Sequence, residues 1–496
     1  VADNKKVTAS ARATDWRTPA ASMGLAVLLL VAVFVPATRP SALLRDFDAF
    51  YCAGQVLNGG GDPYRAEPLG ACERVAKPGP LLTGSANLAM PAPLPPYALV
   101  PFVVLARLPY VFAALTWTLL LALSVTVTVA ALRAVTGLPV VVLGFGFLLG
   151  DAYASLALGQ IAPIAVAGIA VAAWLLEAGR DELAACAAGV AMLEPHVGLP
   201  VCASLFIWRA RTRLPLIGVA AVCGVVSVAV AGTATLIEYL REVLPAHALS
   251  EIANEKQFSL TYALARLHLP PATALHVGEA WYAVAVVIAI WTAGRIAASG
   301  GGSAHLATIP AAFAVCGGPF VHISQIAAAM PAAFLLYARA PDRRTAIAIV
   351  ALAIPWIQFA NLGSIFVPLA ALVAAYLALE LIDRRPAAAA VAACSAVLLL
   401  EAAIALVGGV PDPAAALAAQ YDPRALAETS WTLYVQTIGT ANAAAFDFAK
   451  LPSIVALCFI VFASFTEARR RDHKVLRRAE MEPPLPGESR PLRTCP

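Results

Sequence analysis

Charge is what this chain has least of. Only 13% of its 496 residues are Asp, Glu, Lys or Arg while 60% are apolar, and soluble domains carry about 25% charged residues. A water-soluble globule is excluded, and a mean hydropathy of +0.79 places the chain in a bilayer. Segments of about ten residues with alternating polarity are also lacking, which excludes a membrane β-barrel. Runs of about twenty apolar residues select helices, which satisfy their own backbone hydrogen bonds in lipid. The expected fold class is therefore all-α, a polytopic integral-membrane helical bundle. There is no His-x-x-His or Cys-x-x-Cys pair and the seven histidines are scattered, so a metal centre has no support. No glycine-rich nucleotide loop follows a strand, and Gly300-Gly301-Gly302 reads as a connector. No internal repeat is evident, which leaves an inverted-repeat transporter without support.

The net charge of +4 is modest, and the basic residues gather at the two ends. Lys5, Lys6, Arg12 and Arg17 precede the first apolar run, and Arg469, Arg470, Arg471, Lys474, Arg477 and Arg478 follow the last. Positive-inside weighting places both termini in the cytoplasm, with an even number of crossings. Directly after a span, the C-terminal basic run reads as a topology signal in contact with anionic lipid rather than as a nucleic-acid site. Gly24 to Pro36 admits two readings, a cleaved signal and an uncleaved signal-anchor; the second is preferred because no clean small-x-small site precedes a mature start.

The expected organisation is a cytoplasmic tail (1–19), a membrane domain (20–466) and a basic cytoplasmic tail (467–496). After a first span at about Ala20 to Val35 comes an external loop, 36–91, too long to be a mere connector and hence functional. Apolar runs follow near 92–106, 110–132, 138–149, 161–177, 214–235, 278–297, 304–318, 323–338, 345–359, 362–382, 387–407 and 452–466. With a broken stretch at 183–208 they amount to about eleven to thirteen membrane elements. That stretch is interrupted by Glu194-Pro195-His196 and flanked by Arg180 and by Arg209, Arg211 and Arg213. It reads as two half-helices that leave and re-enter on one side, or alternatively as one kinked span. Further polar loops lie at 237–274 and 408–450.

Most cysteines lie in apolar runs and pack as small hydrophobes. Cys52 and Cys72 instead share the external loop, where an oxidising compartment leaves a disulfide open, although spacing alone fixes no geometry. The same loop holds the densest polar stretch, Arg45 to Tyr64, RDFDAFYCAGQVLNGGGDPY. If it is helical, Asp46 and Phe50 share a face and Asp48 points elsewhere; if it is extended, both acids share a face. The Gly59-Gly60-Gly61-Asp62-Pro63-Tyr64 turn would fold the loop back over the membrane, with its aromatics at headgroup depth.

The run D-F-x-x-F-Y-x-A-G-x-x-x-x-x-G-x-D-P-Y, Asp46 to Tyr64, resembles the first-loop signature of glycosyltransferase family 87, in the GT-C superfamily of integral-membrane enzymes. Shorter matches follow in order: Pro95-Pro96-Tyr97 and Trp117, Gly159-Gln160, Ala188-Gly189 with Glu194-Pro195-His196, Asn254 with Gln257-Phe258-Ser259-Leu260, and Pro319 with His322. The resemblance implies a GT-C-type bundle that transfers a sugar, mannose in several members, from a polyprenyl-phosphate donor to an acceptor hydroxyl on the external face. Inversion at the anomeric carbon is implied, and Asp46 falls on the general base. The expected partners are membrane lipids, the lipid-phosphate donor and a glycolipid or glycan acceptor, with no cofactor and no nucleic acid; the expected location is the plasma membrane. Glu194 departs from the family, whose members have lysine at that place.

The chemistry fits the composition independently. Phosphate leaves as a stable anion, so one carboxylate must take the hydroxyl proton, and a few donors must hold the phosphate. His322, His196 and Lys256 are the candidate phosphate partners. Gln160 is a candidate for a sugar hydroxyl or a backbone group, and Asp48, Tyr51, Asp62, Tyr64, Asn254 and Gln257 complete the expected substrate site. Two rival readings use the same chain: a carrier or flippase of lipid-linked sugars, and a non-catalytic membrane protein of this fold. An acid within the membrane costs roughly 2.5–3.5 kcal/mol on insertion scales, so Glu194 is expected to face a cavity, protonated or paired.

Overall fold

The computed structural model describes residues 44–76, 89–148, 158–252, 254–354, 356, 366–382, 422–438 and 443–481. The expected first span, the N-terminal basic cluster, the 387–407 run and the start of the 408–450 loop lie outside these residues. The described chain is all-α, and no strand forms among the described residues beyond a single antiparallel bridge between Arg65 and Leu426.

The first helix, α1 (Arg45–Asn58), carries Asp46 and Asp48 in its first turn, where acids complement the positive end of the helix dipole. It stops at Gly59-Gly60, Gly60 taking the left-handed φ of +74°. A short α2 (Ala66–Ala76) follows, tied to α1 by a Cys52–Cys72 disulfide whose Cα atoms lie 5.6 Å apart. A 3₁₀ turn at Pro96–Leu99 leads into α3 (Val100–Leu105) and then α4 (Tyr110–Thr136). Gly54 of α1 faces the Phe102 carbonyl so closely that a Cβ would collide with it. The two backbones can therefore pack directly, and Phe47, Phe50, Phe102 and Trp117 form one buried aromatic cluster, with Phe102 and Trp117 rings 4.7 Å apart. Each of these rings contributes roughly 1.5–3 kcal/mol of burial, which fastens α1 to α3 and α4.

Further along come α5 (Val140–Phe147), α6 (Ala162–Glu177), α7 (Asp181–Val190) and α8 (Pro195–Trp208). With 10 and 14 residues, α7 and α8 rise only about 15 and 21 Å, too little to cross a core of about 30 Å. Glu194 leaves the helical region (φ −113°, ψ 85°) and Pro195 restarts it. The two halves return to the same end of the bundle. Glu177, just before α7, accepts the Ala304 N–H at 2.9 Å, and Arg209, just after α8, is hydrogen-bonded to neighbouring Ser303. The stretch is thus a pair of half-helices and not a kinked crossing.

The remaining described helices are α9 (Arg213–Glu238), α10 (Leu244–Glu251), α11 (Leu260–Arg266), α12 (Pro271–Ile296), α13 (His305–Gly317), α14 (Met330–Arg339), α15 (Arg343–Ala353), α16 (Phe366–Leu381), α17 (Ala427–Ile438) and α18 (Ala443–Met481). Among the described residues, four runs are long and apolar enough to cross a membrane: Tyr110–Thr136, Ala210–Glu251, Pro271–Gly301 and Phe446–Arg471. Their exposed side chains, such as Leu119, Val225, Val287 and Val455, suit lipid as solvent. The shorter α6, α8 and α13 fill the interior, with Ala170, Val201 and Ala311 fully buried.

Candidate functional site

Gln160, immediately ahead of α6, donates its side-chain N–H to Asp46 Oδ2. The register of this pair is set by its neighbours. Gly159 adopts φ +73°, and a Cβ there would lie 2.6 Å from Phe47 Cβ, so only glycine lets the chain pass this close to α1. The Gly159 carbonyl accepts the buried Trp117 indole N–H at 2.8 Å. Asp46 itself is half-buried. Because the stretch is helical, Asp48 turns about 200° away from Asp46; it is buried and accepts a hydrogen bond from the Tyr110 hydroxyl. Tyr51 stacks edge-on against Tyr110 and donates to the Leu108 carbonyl at 2.9 Å.

The Asp62-Pro63-Tyr64 turn forms a clasp. Asp62 accepts the Tyr64 N–H at 3.0 Å and the Arg65 Nε at 3.3 Å, and Arg65 pairs with Glu238 at the end of α9. Tyr64 is buried, its hydroxyl donating to the Leu94 carbonyl at 2.8 Å and its ring 5.4 Å from that of Tyr239. The Ala427 N–H and the Ser430 hydroxyl then bind the Tyr64 and Ala89 carbonyls, each at 2.9 Å. The segment at 422–438 is thereby strapped across the first loop.

A second polar group gathers around Glu251, the last residue of α10. Its Oε2 accepts from Asn254 Nδ2 at 2.8 Å and from Gln257 Nε2 at 2.6 Å, and lies 3.4 Å from His322 Nε2. Its Oε1 accepts the Trp431 indole N–H at 3.0 Å. Gln257 also accepts the Val321 N–H at 2.5 Å, so the 254–258 loop is laid against the segment that precedes His322. His322 caps the helical turn Ile323–Ala329, and Gln325 returns its carbonyl oxygen to the His322 N–H at 2.9 Å. The Gln325 amide donates at 3.2 Å to Glu194 Oε2, which lies 3.7 Å from His196 Nδ1. Glu194, an acid where the resemblance expects lysine, is buried and paired at the apex between α7 and α8.

Asn254, Gln257 and His322 therefore meet, and His196 joins them through Glu194 and Gln325. Lys256 stands on the far side of its loop, its ammonium 6.0 Å from the Phe446 ring. The hairpin apex also touches the first group's surroundings: Leu193 packs on the aromatic cluster that contains Phe47, and Tyr97 donates to the Met192 carbonyl at 2.7 Å. Glu251, Gln325 and Trp431 are central here and were not among the expected residues. Glu251 gave a faint signal as the first acid of the EIANEKQ stretch; Gln325 and Trp431 gave none. Two acids outside the spans are held strongly toward their neutral forms. Burial pushes Glu255 up to about 7, against the pull of Lys256 and Lys450. Burial pushes Glu428 up to about 8, with Asp62 and Glu251 adding repulsion.

A helical carboxylate held by an amide is able to accept a proton, and the amides and imidazoles at the break between half-helices are able to bind an anion. Residues 94–317 match the model of Glycosyltransferase family 87, which indicates a membrane glycosyltransferase. The matched segment includes Gln160, His196, Asn254, Lys256 and Gln257, begins after Asp46 and ends before His322. No curated protein and no solved structure matches the chain.

Proposed function

We propose that this chain moves a hexose, with mannose the first candidate, from a polyprenyl-phosphate donor to a hydroxyl of a lipid or glycan acceptor. The acceptor oxygen attacks the anomeric carbon from the face opposite the phosphate in a single inverting displacement. Asp46 takes the hydroxyl proton, the bond to the phosphate oxygen breaks, and polyprenyl phosphate departs as a stable anion. The observation that carries this reading is the contact between Gln160 and Asp46. It orients the carboxylate and leaves Asp46 partly exposed, as a general base requires. His322 and His196 are the candidate donors for the phosphate and the sugar, Asn254 and Gln257 hold Glu251 beside His322, and Asp48 and Tyr51 support the helix that carries the base. No resident cofactor is called for.

The reaction is assigned to the external face of the plasma membrane. From Gln160, α6 runs 16 residues to Glu177, about 24 Å away, where Arg209 and Arg339 gather around Glu177 and Ser303. A basic end of this kind belongs in the cytoplasm, and a disulfide at the Asp46 end suits an oxidising compartment. The decisive experiment supplies purified protein with polyprenyl-phosphate mannose and other polyprenyl-phosphate sugars and follows donor consumption. Wild type should release polyprenyl phosphate, and Asp46→Asn should lose at least a thousandfold in rate while folding normally. Near-normal turnover by Asp46→Asn would remove Asp46 as the base. Movement of labelled lipid across vesicles without donor cleavage would mean a carrier instead.

A further inference from the structure

Two imidazoles near the hairpin apex have buried ring nitrogens that no other group in the described structure satisfies. They are Nε2 of His196, at the start of α8, and Nδ1 of His247, in α10. The two residues are separated in sequence by the whole of α9, yet both pack on one ring: Phe320 lies 5.6 Å from His196 and 5.6 Å, edge-on, from His247. His322 follows two positions after Phe320, and its side chain is 28% exposed, which opens the group to a ligand.

A buried polar atom without a partner costs about 1–3 kcal/mol, and native proteins leave few of them. Two on rings that border the same Phe320 side chain point to one ligand between them. The surrounding acids are already engaged by other donors. Glu251 is filled by Asn254, Gln257 and Trp431, and Glu194 receives Gln325. Among the described residues no three His, Cys, Asp or Glu side chains converge as a metal site. Nδ1 of His247 has no partner among the described residues and is able to carry the N–H, and the ligand that matches such a donor is an anion with several oxygens.

We propose that His247, with His196 and His322, forms the notch that binds the donor's phosphate, His247 Nδ1–H donating to a phosphate oxygen. This rests on the lipid-phosphate donor assigned above. It adds a residue for which the sequence gives no cue, and it supplies phosphate donors near the place where the expected lysine is replaced by Glu194.

The test compares binding of polyprenyl phosphate and of uncharged polyprenol to the full chain in detergent. His247→Phe keeps a ring against Phe320 and removes both nitrogens; His247→Asn retains an N–H donor. Wild type should prefer the phosphate, His247→Phe should bind polyprenyl phosphate ten- to a hundredfold more weakly with polyprenol binding unchanged, and His247→Asn should recover part of the loss. In turnover the same loss should appear mainly in the donor KM. Equal polyprenyl-phosphate binding by wild type and His247→Phe would overturn the notch while leaving the donor assignment standing. A wild type that binds phosphate and alcohol forms alike would instead sink the donor assignment and the notch with it. Weakened binding of an anionic phosphoinositide acceptor, with polyprenyl phosphate unaffected, would also overturn a donor notch.

Discussion

Gln160, just ahead of α6, donates to Asp46 of α1 across 114 positions of sequence, so the two helices are tied together at the acid. A hydrogen bond to a charged group is worth about 1.5–3 kcal/mol. Gln160→Ala should therefore lower kcat roughly ten- to a hundredfold with little change in donor KM, read in steady-state transfer assays. Asp48→Asn, which alters a buried contact to Tyr110, should lower the melting temperature more than it lowers kcat.

Gly159 is the backbone hinge of that contact. Alanine there must hold φ +73° and place its Cβ 2.6 Å from Phe47 Cβ, a combination of strain and overpacking worth about 2–4 kcal/mol. Gly159→Ala should lower both thermal stability and kcat, whereas Gly137→Ala, at a positive φ with open space around it, should lower stability slightly and leave kcat alone.

The Cys52–Cys72 disulfide closes a loop with a sequence separation of 20, and a loop of this size is stabilised by about 3 kcal/mol in the chain-entropy account. Reductant, or the paired change to serine, should lower the melting temperature of the detergent-solubilised protein by several degrees. Cys186→Ser, which alters a free thiol, should have no such effect.

Glu428 sits at the start of α17 with both carboxyl oxygens buried and unpartnered among the described residues. Its pKa is raised from 4.5 to about 8, so the folded protein binds the proton more tightly than the unfolded chain. The stability that depends on the neutral acid is complete below about 4.5 and lost as pH rises through about 8. Melting curves between pH 6 and 9 should fall more steeply for wild type than for Glu428→Gln, and hydrogen exchange in 422–438 should quicken at the alkaline end. A parallel fall in both proteins would refute the assignment.

Sequence alone determined the solvent and the local structure. Few charges and long apolar runs demand a helical membrane protein. Pro195 after Glu194 suits the first position of a helix, and acids at 46 and 48 in a first turn favour a helix start. These outcomes follow from interactions within a few residues, which periodicity and propensity express directly. The tertiary structure decided which distant residues meet: Gln160 with Asp46, Cys52 with Cys72, and Glu251 with Trp431. It also made Tyr64 a buried clasp where headgroup anchoring was expected, and it drew Glu251, Gln325 and His247 to the second polar group. Such pairings depend on how separate helices pack, because close approach at Gly54 and Gly159 sets the position of α1, and no local pattern encodes that geometry. Asp46 was therefore legible as a candidate base, while its contact with Gln160 emerged only from the packed bundle.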